Sequence, residues 1–537
     1  MSLVTVFLAQ LNKQIRHQEG DNLAAWLQVA PEAGGQYHQL AAELRSNYRD
    51  NDILDKLIEK HLPDFNGTLQ EGQGAPFSSF KAFVKDYLVF WRDVDYEDLL
   101  GAHELLSTVV NSCATAFANP QGAVLLRTSM TLSETLARLT MMLNRRPDLL
   151  RRVKREAAAG DDSQKSLAEK SAETIQRIFK TCLQDRTTDR YTAPAGTKVA
   201  VYKFANLVLK LLFACRRTQL ATMLLTQIES QAPLLSLYPA AQRVTFLYYL
   251  GRYWLSNNHF LRAAHCLQDA YLQTPPQFVS HRTKILTYLI PCNLLLGRFP
   301  SAALMARPES KPLAPIFLPL CAAVRAGNFV AFQTHLAAHE DWLFRRGLLL
   351  TLTHKLRPLL WRSLSRKTFI LTYSPPTDAS SRRAATLDIS HLHAAAVYLQ
   401  RRLEGWLPHT STTSHRSAAT ANPLLMRALK NNTQQPPPND TTLTPPPGGP
   451  RKLRPNEGMV WGNAEVTFDD VEMMVAELVQ QGLMHGFIAH GQGRFAIIGA
   501  KARGPVVAGW PNVWQAIRER RYEGEFDPDE VPGWVRG

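Results

Sequence analysis

AQRVTFLYYLGRYWLSNNHFLRAAHCLQDAYLQTP, residues 241–275, reads as two antiparallel helices joined by a tight turn. Leu247, Leu250, Gly251, Trp254, Ala263, Leu267, Ala270 and Pro275 fall at the spacing of a helix-turn-helix repeat of about 34 residues. Gly251 and Ala263 are small where two helices must approach, Trp254 and Leu267 fill the gap between them, and Pro275 ends the second helix. Asn257 and Asn258 supply the turn. A single hairpin of this kind leaves a face uncovered, so it predicts neighbours of the same type. Two more degenerate hairpins follow: Lys284 to Ala306, broken at Gly297 and Pro300, and Ile316 to His339, broken at Gly327-Asn328.

Upstream, Val201, Phe204, Ala205, Val208, Leu211 and Leu212 line one helical face. Residues 1–190 alternate helical patterns with breaks at Asn66 to Ser79 and Ala157 to Lys165, and the start of the chain reads as an amphipathic helix rather than a signal peptide. Downstream, Leu348 to Tyr373 reads as one long basic helix with a short extended end from Phe369, and Asp388 to Leu403 as a second helix capped by Asp388. Gly405 to Asn456, with two PPP runs and Gly-Gly-Pro, has too little apolar content to offset its ordering entropy and reads as a disordered insert. Thr467 then caps a helix that runs to Gln481 and stops at Gly482. Leu483 to His490, the glycine turn Gly491-Gln492-Gly493 and Arg494 to Ile498 form a β-hairpin.

The expected fold is mostly α: a helical-repeat, tetratricopeptide-like solenoid followed by a winged helix that the insert interrupts. The expected divisions are an N-terminal helical region (1–190), a repeat part (195–345), the winged helix (346–403 and 464–513), the insert (405–456) and a Trp-rich tail (514–537).

Charge is distributed unevenly. From Arg345 to Arg454 there are 17 Lys and Arg against 4 Asp and Glu, an excess of 13 in a chain whose net charge is +15. A cationic excess concentrated in one segment points to a polyanionic partner, RNA or DNA. The six cysteines lie far apart with no CxxC pair, which argues against a zinc site and a disulfide framework. No apolar run reaches the length of about 18 residues that a membrane helix needs. Gly491-x-Gly493 precedes a strand rather than a helix, so it is a turn and not a dinucleotide fingerprint. His391 and His393, at i and i+2, fall on different helix faces and do not form a metal pair. No nucleophile triad, P-loop or carboxylate pair is present in a recognisable frame, so the reading is non-enzymatic, with no catalytic residue, metal, cofactor or small-molecule substrate.

Three sets of cations are candidates for phosphate contact. The first is the basic helix, Lys355, Arg357, Arg362, Arg366 and Lys367, with Lys355, Arg362 and Arg366 at helical spacing and the leucines largely opposite. The second is Arg382, Arg383, Arg401 and Arg402, beside Arg451, Lys452 and Arg454 of the insert. The third is the wing, Arg494 with Lys501 and Arg503. For each set the alternative is an ordinary solvated surface, and for the wing also a contact with another subunit.

Repeats that lead into a winged helix resemble the PCI domain, and local segments narrow the resemblance. Ala241 to Arg252, Lys284 to Pro291 with Leu294 to Gly297, Gly327-Asn328-Phe329 with His339 to Gly347, and Gly482 to His490 are similar to the PCI domain-containing protein 2 family, whose members are the PCI subunit of the TREX-2 transcription and mRNA-export complex. Related fungal chains resemble subunit 12 of the COP-nine signalosome. The resemblance covers about 195–403 and 464–513, and the insert departs from it. It implies a non-catalytic scaffold that pairs with a larger PCI-containing TREX-2 subunit, holds a small acidic Dss/Sem-type subunit and binds nucleic acid at the nuclear pore. The alternative it leaves open is a scaffold of a signalosome-like or proteasome-lid-like assembly without nucleic acid. Arg216, Arg217, Arg243, Arg252, Arg282 and Lys284 are then candidates to clamp the acidic peptide, with ordinary surface charge as the alternative.

Overall fold

A computed structural model describes residues 2–63, 74–149, 165–375, 384–408, 443–519 and 530–536. The chain forms two compact units, one of Met1–Pro275 with Asp529–Gly537 and one of Pro276–Pro528.

In the first unit, apolar periodicity builds helices with one buried face. α1 (Leu3–Arg16) buries Val4, Phe7, Leu8, Leu11 and Ile15. α2 (Ser78–Asp93) buries Phe80, Phe83, Tyr87 and Trp91. Their polar tips are satisfied, because Tyr87 O–H and Trp91 Nε1–H both donate to the Gln28 carbonyl, at 2.5 and 3.1 Å. α3 (Leu99–Phe117), α4 (Leu126–Leu143) and α5 (Leu167–Gln184) meet at a buried polar cluster. There His103 Nε2 lies 3.0 Å from Thr140 Oγ1 and 3.2 Å from Ser171 Oγ. α6 (Val201–Ala214) buries the stripe read from its sequence, Val201 to Leu212.

α7 (Ala240–Ser256) and α8 (Phe260–Gln273) form the hairpin. A Cβ on Gly251 would stand 2.6 Å from Leu267 Cγ and 3.3 Å from the Ala263 carbonyl, so glycine is what allows this crossing. Asn258 takes the left-handed turn conformation at φ 65°. Leu267 fills the gap, but Trp254 does not. It stands half-buried beside the turn, with the Arg262 guanidinium 4.8 Å over its ring. Trp534, in the terminal helical turn Gly533–Arg536, packs 6.0 Å from Phe246 of α7.

The second unit begins with α9 (Val279–Leu295), α10 (Ala314–Ala326) and α11 (Phe329–Ala338). Gly327 ends α10 at φ +64°, and a Cβ there would meet the Leu364 backbone nitrogen at 2.5 Å. That helix is α12 (Arg357–Thr372), followed by β1 (Thr386–Asp388) and α13 (Ile389–Leu403), capped by Asp388 onto Ser390 N. The pair β2 (Leu407–Pro408) and β3 (Leu443–Thr444) closes antiparallel. α14 (Phe468–Gln480) starts with a capping box in which Thr467 and Asp470 satisfy each other's backbone N–H. β4 (Gly486–Ala489) and β5 (Arg494–Ile497) make the wing. The sheet order is β1-β5-β4, all antiparallel, with Leu387 opposite Phe495 and Ile488 opposite Phe495 on its other side. Residues from both sides of the gap in sequence therefore complete one small sheet with its helices, a winged helix following helical repeats.

Two expectations need correction. Leu348 to Tyr373 is not one helix with an extended end. It breaks at Leu356 between a short helix, Leu349–Lys355, and α12, because Pro358 cannot donate inside a helix and starts a new one. Phe369 then stays helical, its ring stacked 4.6 Å from Tyr373 and tilted against Trp510 at 5.0 Å. Nor does the unstructured reading extend to Asn456. Residues 443–463 are packed, with Leu443, Leu453 and Met459 buried. Their backbone is held from a distance: Gln400 Nε2 donates to the Gly462 carbonyl at 2.9 Å, and the Met459 N–H donates to Gln400 Oε1 at 2.8 Å. Residues 409–442 lie outside the described residues.

Candidate nucleic-acid interface

The basic helix divides its cations between two jobs. Arg357 and Arg362 turn inward. Arg357 donates from Nη1 to the Asn456 carbonyl at 3.0 Å and from Nη2 to those of Gly458 and Met459 at 2.7 and 2.6 Å. Arg362 donates from Nε to Leu483 O at 3.2 Å and from Nη2 to Trp510 O and Pro511 O at 3.1 and 2.6 Å. Burial pushes both guanidiniums down to about 10, which leaves them charged at neutral pH. These two arginines hold the winged helix together and are not free for phosphate, a correction to their reading as contacts. Lys355, Arg366 and Lys367 are exposed, but Lys355 belongs to the preceding short helix, so the face expected of Lys355, Arg362 and Arg366 does not form.

The second set is largely occupied. Arg401 stacks 5.4 Å over Trp406, and Arg402 donates to the Trp406 carbonyl at 3.0 Å. Arg451 and Arg454 pair with Glu457, and Arg454 also with Glu340 at 2.9 Å. Arg382 and Arg383 lie outside the described residues. In the wing, Arg494 is exposed and its Nε lies 3.8 Å from Asp388, its partner in register. Lys501 and Arg503 are exposed in the helical turn after the wing, Ala500–Arg503.

The cations read as an acidic-peptide clamp belong to both units, and several of them have partners within their own unit. Arg216, Arg217, Arg243 and Arg252 belong to the first unit, Arg282 and Lys284 to the second. Arg243 donates to the Ser236 and Tyr238 carbonyls at 3.1 and 3.2 Å. Arg252 sits 4.3 Å over Phe213. Arg217 lies 3.9 Å from Glu169. Arg282 is buried against Glu309 at 3.1 Å. Arg216 and Lys284 are exposed.

Sequence reasoning missed a groove of about 840 Å³ on the outward side of α12. Arg366, Lys367 and Ile370 of α12 form one wall, Val324 and Arg325 of α10 with Phe299 another, and residues 503–519 the third. Glycine at 297 lets the third wall close. It has φ +74°, and any Cβ would overlap Val513 at 2.5 Å. Trp510 is buried, donating from Nε1 to Ser365 Oγ at 3.0 Å. The guanidiniums of Arg298 and Arg518 lie 4.7 and 6.0 Å from the centre of the Trp514 ring. No local pattern marks the groove, because its walls come from four separate stretches. Among the described residues, Arg366, Lys367, Lys501 and Arg503 make no ion pair, while Glu519 is the one acid of the lining.

Helical repeats that run into a winged helix with a β1-β5-β4 sheet are the fold of a PCI domain. The sequence agrees with this class. The chain is 26% identical over 375 residues to a PCI domain-containing protein of Schizosaccharomyces pombe, covering 66% of this chain and 82% of that protein. It is 28% identical over 250 residues to the PCI domain-containing protein 2 homolog of Drosophila melanogaster, 45% of this chain and 61% of the relative. It is 31% identical over 231 residues to the protein CSN12 homolog of Gibberella zeae, 41% of this chain and 49% of the relative. The chain thus resembles the PCI domain-containing protein 2 and CSN12 homologs, although it spans less than two thirds of the length of the last two. No family model matches the chain. No helix among the described residues is long and apolar enough to cross a membrane.

Proposed function

We propose that this chain is a non-catalytic scaffold subunit of a TREX-2-type complex. In this reading it pairs through its PCI fold with a larger PCI-containing subunit and a small acidic Dss/Sem-type subunit. It binds RNA or DNA and works at the nuclear pore in coupling transcription to mRNA export. The observation that carries the nucleic-acid part is the set of exposed cations Arg366, Lys367, Lys501 and Arg503 on the winged-helix unit, which make no ion pair among the described residues. Their chemistry suits phosphate contact without sequence choice. The similarity to PCI domain-containing protein 2 homologs supports the choice of complex.

The test is binding of a labelled oligonucleotide by the purified chain and its co-purifying subunits as salt is raised. Affinity is expected to fall by a factor of ten or more between about 50 and 200 mM salt. Arg366→Glu with Lys367→Glu should weaken it further without unfolding the protein. Arg362 is left out because its charge holds the fold. A second reading, a signalosome-like or lid-like scaffold without nucleic acid, is supported by the similarity to CSN12 homologs. It takes over if no oligonucleotide binds at low salt. Mass spectrometry of the co-purifying proteins distinguishes the two assemblies.

A further inference from the structure

The last residues of the chain return to the unit in which it began. Residues 276–528 belong to the second unit, but Asp529–Gly537 belong to the first. Chain ends fray unless something ties them down, and here a short apolar run, Val531-Pro532-Gly533-Trp534-Val535, supplies the tie. Val531, Trp534 and Val535 are buried, while Glu530 and Gly533 beside them face solvent. The Trp534 ring lies 6.0 Å from Phe246 of α7, and its helical turn sits against the turn Leu235–Leu237. The socket is built without help from this segment. Tyr202 of α6 meets Phe246 at 4.8 Å and Tyr238 at 4.6 Å, both edge-on. Tyr202 O–H donates to the Pro233 carbonyl at 3.1 Å, and Tyr238 O–H to that of Lys198 at 2.7 Å. Arg243 of α7 holds the Ser236 and Tyr238 carbonyls. Trp534 differs from these walls. Its Nε1–H is buried with no acceptor among the described residues, whereas a buried indole usually finds one. An unmet donor weakens the grip on a segment that three side chains anchor. The socket is thus preformed, and its occupant is loosely held.

We propose that this socket on the first unit is a recognition site for a short apolar segment bearing a tryptophan. Val531–Val535 is its resident ligand, held in cis and released as a unit. Residues 520–529 tether the segment, and a tether of ten residues keeps it near the socket at an effective concentration on the order of millimolar. A site that binds the free segment at about 100 µM is then roughly nine-tenths occupied. The socket is therefore full in the resting chain and open to exchange with a competitor of the same chemistry. Nucleic-acid binding plays no part in this inference.

The experiment vacates the socket in the full chain. Trp534→Ala with Val535→Ser removes the ligand side chains and leaves α6 and α7 unchanged. By fluorescence anisotropy, a labelled peptide of residues 530–537 is expected to bind this variant at about 30–300 µM. It should bind the wild-type chain at least about tenfold more weakly, because the cis segment competes. The same peptide carrying Trp534→Ala should lose at least about tenfold against the vacated chain. Equal binding of the two peptides, or no binding to the vacated chain, would make Trp534 ordinary core and overturn the proposal. Should the variant fold poorly, a protease site in place of residues 521–526 allows the wild-type segment to be cut in the folded chain. The cut segment is then expected to exchange for labelled peptide. A cut segment that stays bound under excess peptide would also overturn the proposal. So would a wild-type mass, measured by light scattering, that rises with concentration and stays monomeric in the vacated chain, since the segment would then sit in a second copy.

Discussion

The α7–α8 hairpin and the winged helix hold helices together in opposite ways. In the hairpin, cohesion depends on what is missing: Gly251 has no Cβ, and Leu267 occupies the space. The contact between the two helices is made by residues within 241–275, and most of the buried side chains there are apolar. In the winged helix, two guanidiniums on α12 take six carbonyls from 456–459, 483 and 510–511, about 100 to 150 residues further along the chain. A hairpin of the first kind depends on side-chain identity at every contact. A grip on carbonyls needs only backbone, which every residue supplies, so the intervening sequence is free to vary. That is why the winged helix can accept a long insertion between α13 and α14 while the repeat keeps its spacing.

The largest effect expected from this contrast is at Arg362. Arg362→Ala leaves three carbonyls without their charged donor and should cost about 3–5 kcal/mol in urea unfolding of the full chain. Arg362→Lys should recover less than half of that, since a single ammonium lacks the fork that reaches both Leu483 and Trp510–Pro511. A midpoint unchanged by Arg362→Ala would mean that the winged helix is held by its apolar core alone, and the contrast would fail.

The next effect comes from a polar junction of a third kind. His103 joins α3, α4 and α5 through Thr140 and Ser171, and burial lowers its pKa to about 4. Unlike a guanidinium, it must stay neutral to remain folded in. The folded pKa is depressed, so this site's full stability is present above the unfolded value of about 6.5. As pH falls from there to about 4, only the unfolded chain takes up the proton, and about 3 kcal/mol is lost. Stability measured against pH should show this slope, and His103→Gln should flatten it.

Gly251→Ala is expected to be milder. The added Cβ overlaps Leu267 Cγ, an overpacking cost of about 1–3 kcal/mol, while helix propensity returns about 1 kcal/mol. Leu267→Val in the same chain should recover part of the loss, giving a double variant less destabilised than the sum. Strict additivity would show that the two helices do not touch at this point.

What was legible in the sequence divides along the same line. The hairpin, the Thr467 cap and the glycine turn of the wing are local, with cause and effect a few residues apart, and their patterns are readable. Charge counting placed cations on α12 but had no way to distinguish Arg362, aimed at carbonyls, from Arg366 one turn later, aimed at solvent. The direction depends on Leu483 and Trp510, whose position only the fold determines. Residues 443–456 read as unstructured because they contain few apolar side chains. Their order comes from Arg357 and Gln333, which donate to the Asn456 carbonyl, and from Asn463, which bonds Arg451 and Leu453, groups that a reading of local composition does not weigh. The groove was invisible for the same reason, with no one wall carrying a signature.

The smallest effect tests the tolerance that the carbonyl grip implies. β2 and β3 bring Leu407 opposite Thr444 and Pro408 opposite Leu443, so the two ends of the 409–442 stretch are already side by side. Replacing 411–440 with a short Gly-Ser connector should therefore shift the melting temperature by less than about 2 °C, because loop closure changes only slowly with length. Extending the same deletion through Met459 removes the Asn456, Gly458 and Met459 carbonyls and leaves the buried Arg357 charge without acceptors, a loss of about 3 kcal/mol or more. If the short and long deletions melt alike, Arg357 contributes nothing, and the winged helix owes its closure to the β1-β5-β4 sheet. A long deletion that alone destabilises, matched in size by Arg357→Ala in the full chain, assigns the closure to the guanidinium grip rather than to the buried Leu443, Leu453 and Met459.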